Sequence, residues 1–389
     1  MSGEIAIVGY AETVIDVKTG RSVFDLAGEA FAQLIEATGV PKSAIDGLSV
    51  SVAQSEASNP FYASYMVDAL GLTTTWLHLA GSGGASVLTG VAAAANAIRA
   101  GRCSLAVVIG ADAPTTSHKG VFGAYQPEFQ TPTGIGGPPG MFGLLMSRYE
   151  AEYGLDRDAL AKIAVTQRQH GLLNDNACPK LRKPLTRDDY YASRYIADPL
   201  RVLDCVMLCD GANVTLVASV EVAEKLGLRK RVTIRGYAEC NNFAGANLLA
   251  DVLETGFAVA GPQALREAGF TQRLRSRTFH PYDDFTIAVM LQLEQIGFCE
   301  IGQGARFVEA TDLSFRGTLP LNTGGGQISA GQIGLGSGGT NLVEAVRQLS
   351  GEGGARQVAD ARNALVTGIG VIPYARNWST SAALVLEAA

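Results

Sequence analysis

The segment HPYDDFT at residues 280–286 brings an imidazole, a phenol and two carboxylates together just before an apolar run. Groups of these types at the start of a helix can pass protons to and from a substrate, so His280, Tyr282 and Asp283 are candidate catalytic residues. A structural interpretation is also open, in which Asp283 or Asp284 caps the following helix and the Tyr282 hydroxyl is buried. The residue types alone do not decide between the two.

The run GSGG occurs at 81–84 and again at 336–339, and each copy precedes a small, apolar helix. A glycine turn at a helix N-terminus exposes backbone N–H groups, which suits a phosphate or a developing oxyanion. Close helix packing would explain one run equally well, but two matched runs favour a shared cleft. Gly338 and Ser86 are the binding candidates here. Neither run has the sequence context of a Walker or dinucleotide-binding motif.

The segment LNTGGGQISAGQIGLGSGG at 321–339 is too rich in glycine for a helix or strand and too apolar for a flexible linker. Glycine makes up 46 of the 389 residues, about 12% of the chain against a usual ~7%. We expect this segment to form an ordered loop beside a binding site, with Gly325 and Gly326 among its contacts.

Alternating apolar strands and helices must position these groups, and the pattern is typical of a layered α/β fold. The predicted strands and helices of the first part are 4–9, 22–38, 47–52, 87–100 and 104–110. Residues 114–204 break this pattern with a Gly- and Pro-rich stretch and polar helices, and we interpret them as an excursion from the sheet. A GSGG-helix-strand element recurs about 255 residues further on, which indicates a duplicated unit.

Composition excludes several classes of protein. Hydrophobic residues make up 47% of the chain, charged residues 17%, and the net charge is −6 without a basic run, so nucleic acid is not an expected partner. The start lacks a signal peptide and no apolar run is long enough to span a membrane, which predicts a cytoplasmic protein. The six cysteines form no CxxC pair and there are four histidines, so neither a disulfide framework nor a metal site is expected.

Four motifs together resemble the thiolase superfamily, and more narrowly its sterol-carrier or lipid-transfer type. They are PLRVLDCVMLCDGANVTLVASVEVAEKLG (199–227), YDDF (282–285), NTGGGQISAG (322–331) and STSAALVLE (379–387). The resemblance implies a five-layered α-β-α-β-α fold built from two duplicated halves, with an inserted loop domain that covers the cleft and holds coenzyme A. The implied halves are 1–113 with 205–235, and 236–389; the implied loop domain is 114–204.

The family's catalytic positions are changed throughout this chain. The nucleophilic Cys falls on Gly84 when the family spacing is counted back from Gly101, or on Ala80 when the GSG letters are aligned. A glycine or alanine cannot form an acyl-enzyme. The family's Asn or His falls on Tyr282, the His of its GHPIG segment falls on Gln332, and its second Cys falls on Gly368.

A subset of the lipid-transfer type also lacks the Cys and carries a YD-F-T segment. The resemblance to that subset implies retro-aldol cleavage of a 3-hydroxyacyl-CoA, with Tyr282 as base or proton shuttle and no acyl-enzyme. These proteins tend to have a second Tyr at the position of Gln332, whose amide hydrogen-bonds a carbonyl but is not a base. Coenzyme A would enter as part of the substrate, and no tightly bound cofactor is expected.

Two other functions remain open. One is a 3-ketoacyl-CoA thiolase or acyltransferase whose nucleophile comes from elsewhere; its candidates are Cys205, Cys209, Cys299, Ser82 and Ser86. The other is a non-catalytic acyl-CoA or lipid-binding subunit. The resemblance to the family implies a homodimer that pairs sheet edges, and the resemblance to the aldolase-like subset implies a small OB-fold, zinc-ribbon acyl-CoA-binding partner. The aromatic residues Phe122, Tyr125, Phe129 and Phe142 of the inserted segment suggest a large, ring-bearing acyl group.

Overall fold

A computed structural model describes residues 3–117, 132, 134–135, 137–244, 251–270, 277–370 and 379–389. Nine strands in this part of the chain form one large sheet in the order β10-β12-β13-β9-β1-β8-β4-β2-β3. These strands are β1 (Ile5–Glu12), β2 (Gly47–Ser51), β3 (Trp76–Ala80), β4 (Leu105–Asp112), β8 (Gly211–Ser219), β9 (Val232–Asn241), β10 (Arg277–His280), β12 (Asn363–Ile369) and β13 (Thr380–Ala388). Two small ladders add β5 (Tyr195–Ala197) with β6 (Leu200–Arg201), and β7 (Leu208–Cys209) with β11 (Gln332–Ile333).

Twelve α-helices surround and divide the sheet in the described residues. They are α1 (Val23–Thr38), α2 (Tyr62–Leu70), α3 (Ser86–Arg99), α4 (Gly137–Tyr153), α5 (Arg157–Gly171), α6 (Arg187–Ala192), α7 (Val220–Lys225), α8 (Phe257–Glu267), α9 (Thr286–Ile296), α10 (Gly304–Ala310), α11 (Gly326–Ala330) and α12 (Gly338–Leu349). None of them combines the length and apolar character that a membrane span requires.

Local sequence sets the limits of α1. The Ser22 side chain accepts a hydrogen bond from the Asp25 N–H, and the Asp25 carboxylate accepts one from the Ser22 N–H, which forms a capping box. The helix ends at Gly39, whose φ of 68° is left-handed and is easily adopted by glycine. The helix predicted over 22–38 is confirmed, with Ser22 as its N-cap.

Alternation along the strands produces layers. In β1, Ile5 and Ile7 contribute to a core that also contains apolar residues of α3 and α12, whereas Ala6 and Val8 face a second core against α1 and α2. A third core joins the strands of the C-terminal half to α8 and α9. Helices α3 and α12 therefore lie between two sheet regions whose outer faces carry the other helices, as the predicted fold class requires.

The duplication is visible in the strand order. The N-terminal half reads β3-β2-β4-β8-β1 and the C-terminal half reads β10-β12-β13-β9. The pairs β2–β4 and β10–β12 are parallel, and the pairs β4–β8 and β12–β13 are antiparallel. A parallel bridge from Phe279 to Leu321 stands where the counterpart of β3 is expected. The predicted duplication is confirmed.

The chain leaves the sheet after β4 and returns at β8. Between them, α4 and α5 pack on the C-terminal half, where Phe142 stacks on Phe285 with ring centroids 4.0 Å apart. Helix α5 also contacts α11, and a Cβ on Gly325 would lie 2.7 Å from the Gly171 Cα at the end of α5. The inserted segment is therefore anchored to the loop that precedes the second GSGG run.

Candidate active site

A cavity of about 260 Å³ opens where the two halves and the inserted segment meet. Its lining includes Gly83 and Gly84 of the first glycine run. The polar lining side chains are Gln54, Cys205, Tyr282, Asp284 and Gln332. The apolar lining side chains are Pro138, Pro139, Val206, Leu208, Phe285, Leu335 and Ile369. A mostly apolar cavity with a few convergent polar groups is the usual form of a small-molecule site.

Tyr282 fills the place that a side chain at position 84 would occupy. A Cβ built on Gly84 would lie 2.1 Å from the Tyr282 Oη, far inside van der Waals contact. A Cβ on Gly368, the position implied for the second cysteine, would lie 2.7 Å from the Cα of Ala85. Positions 84 and 368 therefore approach the same turn from two sides, and the Tyr282 hydroxyl occupies the space into which a side chain at 84 would project.

The Tyr282 side chain is held on both sides and at its backbone. Its Oη lies 2.8 Å from the Ser337 Oγ in the second glycine run, and the Gln332 Nε2 donates to it at 3.3 Å. Its N–H donates to the Thr367 Oγ1 at 2.9 Å, and its carbonyl accepts from the Gln292 Nε2 at 2.7 Å. Four contacts from separate parts of the chain position the hydroxyl.

Burial raises the pKa of Tyr282 above its ordinary value of 10, and the negative charge of Asp284 raises it further. The hydrogen bonds from Ser337 and Gln332 oppose this shift without cancelling it. The phenol is therefore protonated at neutral pH. Of the two roles predicted for Tyr282, this favours proton donation over proton abstraction.

Asp283 is fully buried and its hydrogen bonds join three parts of the C-terminal half. Its carboxylate accepts from the N–H groups of Gln327 and Ile328 in the first turn of α11, at 2.9–3.1 Å, and from the Asn341 Nδ2 at 3.2 Å. Burial raises its pKa to about 6, although these hydrogen bonds oppose the shift. Capping of α9 by Asp283 or Asp284 is wrong, because Phe285 occupies the N-cap and no side chain caps it.

Asp284 lines the cavity, although it is not among the catalytic residues that the sequence predicts. Its backbone carbonyl accepts from the Val206 N–H at 3.1 Å, which fixes the segment beside the inserted domain. Among the residues that the structure describes, the buried Oδ1 of Asp284 has no hydrogen-bond partner. Burial and the charge of Asp283 raise the pKa of Asp284 well above its ordinary value.

His280 lies at the end of β10 and is not among the described residues that line the cavity. Its Nε2 is 2.9 Å from the Thr278 Oγ1. Burial lowers the pKa of His280 to about 4, so the imidazole is neutral at physiological pH. The structure therefore does not bring His280 together with Tyr282 and Gln332.

The predicted glycine contacts lie behind the cavity lining. A Cβ on Gly326 would lie 2.2 Å from the Asp283 Oδ2, and one on Gly338 would lie 2.3 Å from the Gly84 carbonyl oxygen. The two GSGG runs thus touch each other directly. Ser86 is fully buried in the first turn of α3 and does not line the cavity in the described part of the chain.

Cys205 is the one cysteine among the described cavity-lining residues. Burial and the charges of Asp204 and Asp284 raise its pKa to about 12, which keeps the thiol protonated and weakly nucleophilic. Burial likewise raises the pKa of Cys299 to about 12, and neither Cys209 nor Cys299 is in the described lining. The described residues contain no group of three side chains that could hold a metal ion.

Of the aromatic residues expected to shape an acyl pocket, Phe122, Tyr125 and Phe129 lie outside the described residues. Phe142 is fully buried, stacks on Phe285 and does not line the cavity, so its role is packing.

The chain has relatives along nearly its whole length. It is 29% identical to a 17-hydroxy-3-oxo-4-pregnene-20-carboxyl-CoA lyase of Mycobacterium tuberculosis, over 95% of this chain and 98% of the relative. It is also 29% identical to a steroid side-chain-cleaving aldolase of Thermomonospora curvata, over 95% of this chain and 96% of the relative. The solved Ltp2-ChsH2(DUF35) aldolase superposes with a TM-score of 0.86 at 27% identity, covering 99% of this chain and 98% of that one.

Residues 244–387 match the family described as thiolase C-terminal domain-like. Together with the duplicated strand order, the position of Tyr282 over Gly84 and the relatives above, this match confirms the predicted resemblance. The chain is therefore similar, over nearly its whole length, to thiolase-like aldolases and lyases that act on CoA thioesters.

Proposed function

We propose that the protein is a lyase that cleaves the C2–C3 bond of a 3-hydroxyacyl-CoA by a retro-aldol reaction. The observation that carries this proposal is the Tyr282 hydroxyl, which occupies the space that a nucleophilic side chain at Gly84 would need. Two relatives of nearly full length are named as lyase and aldolase, and the first is named for a CoA thioester substrate. A reaction without an acyl-enzyme fits a site without a thiolate.

In this reaction the proton of the 3-hydroxyl leaves, C3 becomes a carbonyl, and the C2–C3 electron pair passes to the thioester as an enolate. The neutral Tyr282 donates its proton to C2 of that enolate, which yields the shortened acyl-CoA. Ser337 and Gln332 hold the hydroxyl in place, and Gln332 lies at the cavity wall where its amide can hydrogen-bond a substrate oxygen. General acid catalysis of this type contributes about 10²–10⁴ in rate.

Coenzyme A enters as part of the substrate in this proposal, and no separate cofactor takes part in the steps. The described lining offers Pro138, Leu208, Leu335 and Ile369 as apolar contacts for the acyl group. A bulky acyl chain suits such walls, and the relatives named for steroid substrates support a ring-bearing one.

Product analysis by liquid chromatography and mass spectrometry tests the proposal. The protein is incubated with bulky 3-hydroxyacyl-CoA esters and, separately, with 3-ketoacyl-CoA esters plus free CoA. A carbonyl product with a shortened acyl-CoA from the hydroxy esters alone is the expected result, and prior alkylation of thiols leaves it unchanged. Cleavage of keto esters alone, dependent on added CoA, would show a thiolase. Acyl-CoA binding without any turnover, alone or with a partner, would show a non-catalytic subunit.

We further propose a homodimer formed through β3. This strand lies at the edge of the large sheet, and its Leu77 and Leu79 side chains are 40% and 44% exposed. An exposed apolar edge strand is a template for pairing with a second chain. Sedimentation of the wild type is expected to give a dimer, and the double variant Leu77→Lys, Leu79→Lys a monomer; a wild-type monomer contradicts the proposal.

A small acyl-CoA-binding partner is the last part of the proposal. The superposed aldolase is named as a pair, Ltp2 with the DUF35 protein ChsH2. We expect a DUF35-type protein to bind this chain and to increase cleavage of the hydroxy esters. Size-exclusion chromatography of the mixture measures binding, and parallel assays with and without the partner measure the effect on cleavage. Full activity without complex formation would show that this chain does not require the partner.

A further inference from the structure

We infer that Asp284 is the general base that removes the proton of the 3-hydroxyl group. This inference rests on the proposed retro-aldol reaction, which needs a base and a proton donor at the same cavity. The geometry assigns the two roles to adjacent lining residues: Tyr282 donates, and Asp284 accepts.

Asp284 differs from the adjacent Asp283 in the hydrogen bonding of its carboxylate, which decides whether that carboxylate is free to accept a proton. The carboxylate of Asp283 is occupied by two backbone N–H groups and by Asn341. In contrast, the Asp284 carboxyl interacts only with the adjacent backbone N–H groups of Asp284 and Phe285, and its buried Oδ1 has no hydrogen-bond partner in the part of the chain that the structure describes. A buried polar atom without a partner costs free energy, and it is retained where a ligand supplies the missing contact.

The other polar side chains of the cavity are unsuited to take a proton. Tyr282 is protonated, and Cys205 is held as a thiol because burial raises its pKa to about 12. The amides of Gln54 and Gln332 are not bases. The described lining contains no His, Lys or Arg, so Asp284 also has no cation there to neutralise it.

Two backbone links hold Asp284 at the cavity. The Val206 N–H donates to the Asp284 carbonyl oxygen at 3.1 Å, and Cys205 forms an antiparallel bridge with Phe285. The residues on either side are fixed as well, because Asp283 binds α11 and Phe285 stacks on Phe142. The side chain of Asp284 is therefore presented to substrate from a rigid segment, which suits a catalytic group.

The step balances without a further reactant. Asp284 takes the hydroxyl proton as the C3–O bond becomes a carbonyl, and the C2–C3 pair forms the enolate. Tyr282 protonates C2, and the proton on Asp284 then restores the phenol. The net change is one proton moved from oxygen to carbon and one C–C bond broken. The high pKa that burial gives Asp284 makes it a stronger base than an exposed carboxylate.

The test replaces Asp284 by Asn, with Asp188→Asn as the matched control at an exposed carboxylate on α6. With wild-type cleavage of a 3-hydroxyacyl-CoA established first, Asp284→Asn should lower kcat by about 10²–10⁴. The affinity for a 3-deoxy acyl-CoA, which lacks the reacting hydroxyl, should stay within about threefold in calorimetry. Asp188→Asn should match the wild type in both measurements.

A second variant keeps the inference testable if Asn distorts the site. Asp284→Ala opens space for a small carboxylate, and added formate should restore part of the lost rate to this variant alone. Restoration by formate would not follow if Asp284 only supported the fold. Cleavage by Asp284→Asn at the wild-type rate overturns the inference.

The pH dependence is the third readout. The titratable groups facing Asp284 are Tyr282, Asp283 and Cys205. Burial keeps the Tyr282 phenol and the Cys205 thiol protonated at neutral pH, so an acidic limb belongs to one of the two carboxylates, whose pKa values burial raises. A base is active when ionised, so wild-type kcat should fall as the pH falls through the pKa of Asp284. An acidic limb that persists unchanged in Asp284→Asn belongs to Asp283 and overturns the inference. Absence of wild-type cleavage refutes the proposed reaction itself.

Discussion

The two GSGG runs have the same sequence and the same position before a central helix, but they have different structural roles. The first run, 81–84, leaves space: Gly83 and Gly84 line the cavity, and the Tyr282 hydroxyl occupies the volume of the missing side chain at 84. The second run, 336–339, provides support: the Ser337 Oγ holds the Tyr282 Oη at 2.8 Å, and Gly338 packs on the Gly84 carbonyl.

This difference shows how a duplicated fold acquires one asymmetric site. Both helices retain a glycine turn because α3 and α12 approach each other at their N-termini, where little more than backbone fits. In the lining that the structure describes, only the first run faces the cavity. Activity should therefore respond most to changes at Tyr282 and the first run, and stability to changes at the second.

The largest effect on activity is expected from Tyr282→Phe. The variant keeps the ring volume and removes the donor, so cleavage of a 3-hydroxyacyl-CoA should fall by about 10²–10⁴. Binding of acyl-CoA should be nearly unchanged, because the apolar walls remain. Mass spectrometry of the products measures cleavage, and calorimetry measures binding of acyl-CoA. Cleavage at the wild-type rate by Tyr282→Phe would show that Tyr282 is not the proton donor.

A smaller loss of activity is expected from Gly84→Ala. A methyl group there would lie 2.1 Å from the Tyr282 Oη, so the phenol must move by about an ångström. Displacement of a catalytic group by that distance costs about 10²-fold in kcat. Thermal unfolding measured in parallel shows whether the fold has been affected. An unchanged kcat would mean that catalysis does not depend on the present position of the Tyr282 hydroxyl.

Gly338→Ala should act on stability. A Cβ at 338 would lie 2.3 Å from the Gly84 carbonyl oxygen, and backbone cannot yield as a flexible side chain can. Overpacking of this kind costs about 1–3 kcal/mol in the free energy of unfolding. Denaturant unfolding measures it, with Gly351→Ala as a control that tests a left-handed glycine (φ 74°) in open space. If Gly338→Ala lowers the free energy of unfolding no more than Gly351→Ala does, the close contact between position 338 and the Gly84 carbonyl is contradicted.

The smallest effect is expected from Ser337→Ala. The variant removes one of the two side-chain hydrogen bonds to the Tyr282 Oη and leaves Gln332 in place. One such bond contributes about 0.5–1.5 kcal/mol, which corresponds to a two- to tenfold lower kcat. Ser337→Thr keeps the hydroxyl and should recover part of the rate. A loss as large as that of Tyr282→Phe would place Ser337 in the proton transfer itself.

Much of the fold could be predicted because its signals are local. The strand β4 is buried along its whole length, and the continuous apolar run SLAVVIG already indicates this. The repeated GSGG element indicated the duplication, and the motif order indicated the thiolase superfamily. The relatives support the predicted lyase of CoA thioesters, and the structure brings Tyr282, Gln332 and Gly84 together.

The rest depends on contacts between distant parts of the chain. Asp283 and Asp284 are adjacent and chemically identical in the sequence, yet one binds α11 and the other lines the cavity. In an irregular segment no period assigns their directions. His280 looked equally suitable, but β10 directs it to Thr278. The second carboxylate of the YDDF segment was the available signal for Asp284.

The close approach of position 84 and the phenol also limits the evolutionary routes open to this protein. Thiolase chemistry at this site would need a cysteine at 84, and that side chain can enter only if the Tyr282 phenol is displaced. Replacing Tyr282 first by a smaller residue removes the phenol before any nucleophile exists. If Tyr282 donates the proton as proposed, each single substitution should lower activity before the other can compensate, so the two substitutions are expected to be epistatic.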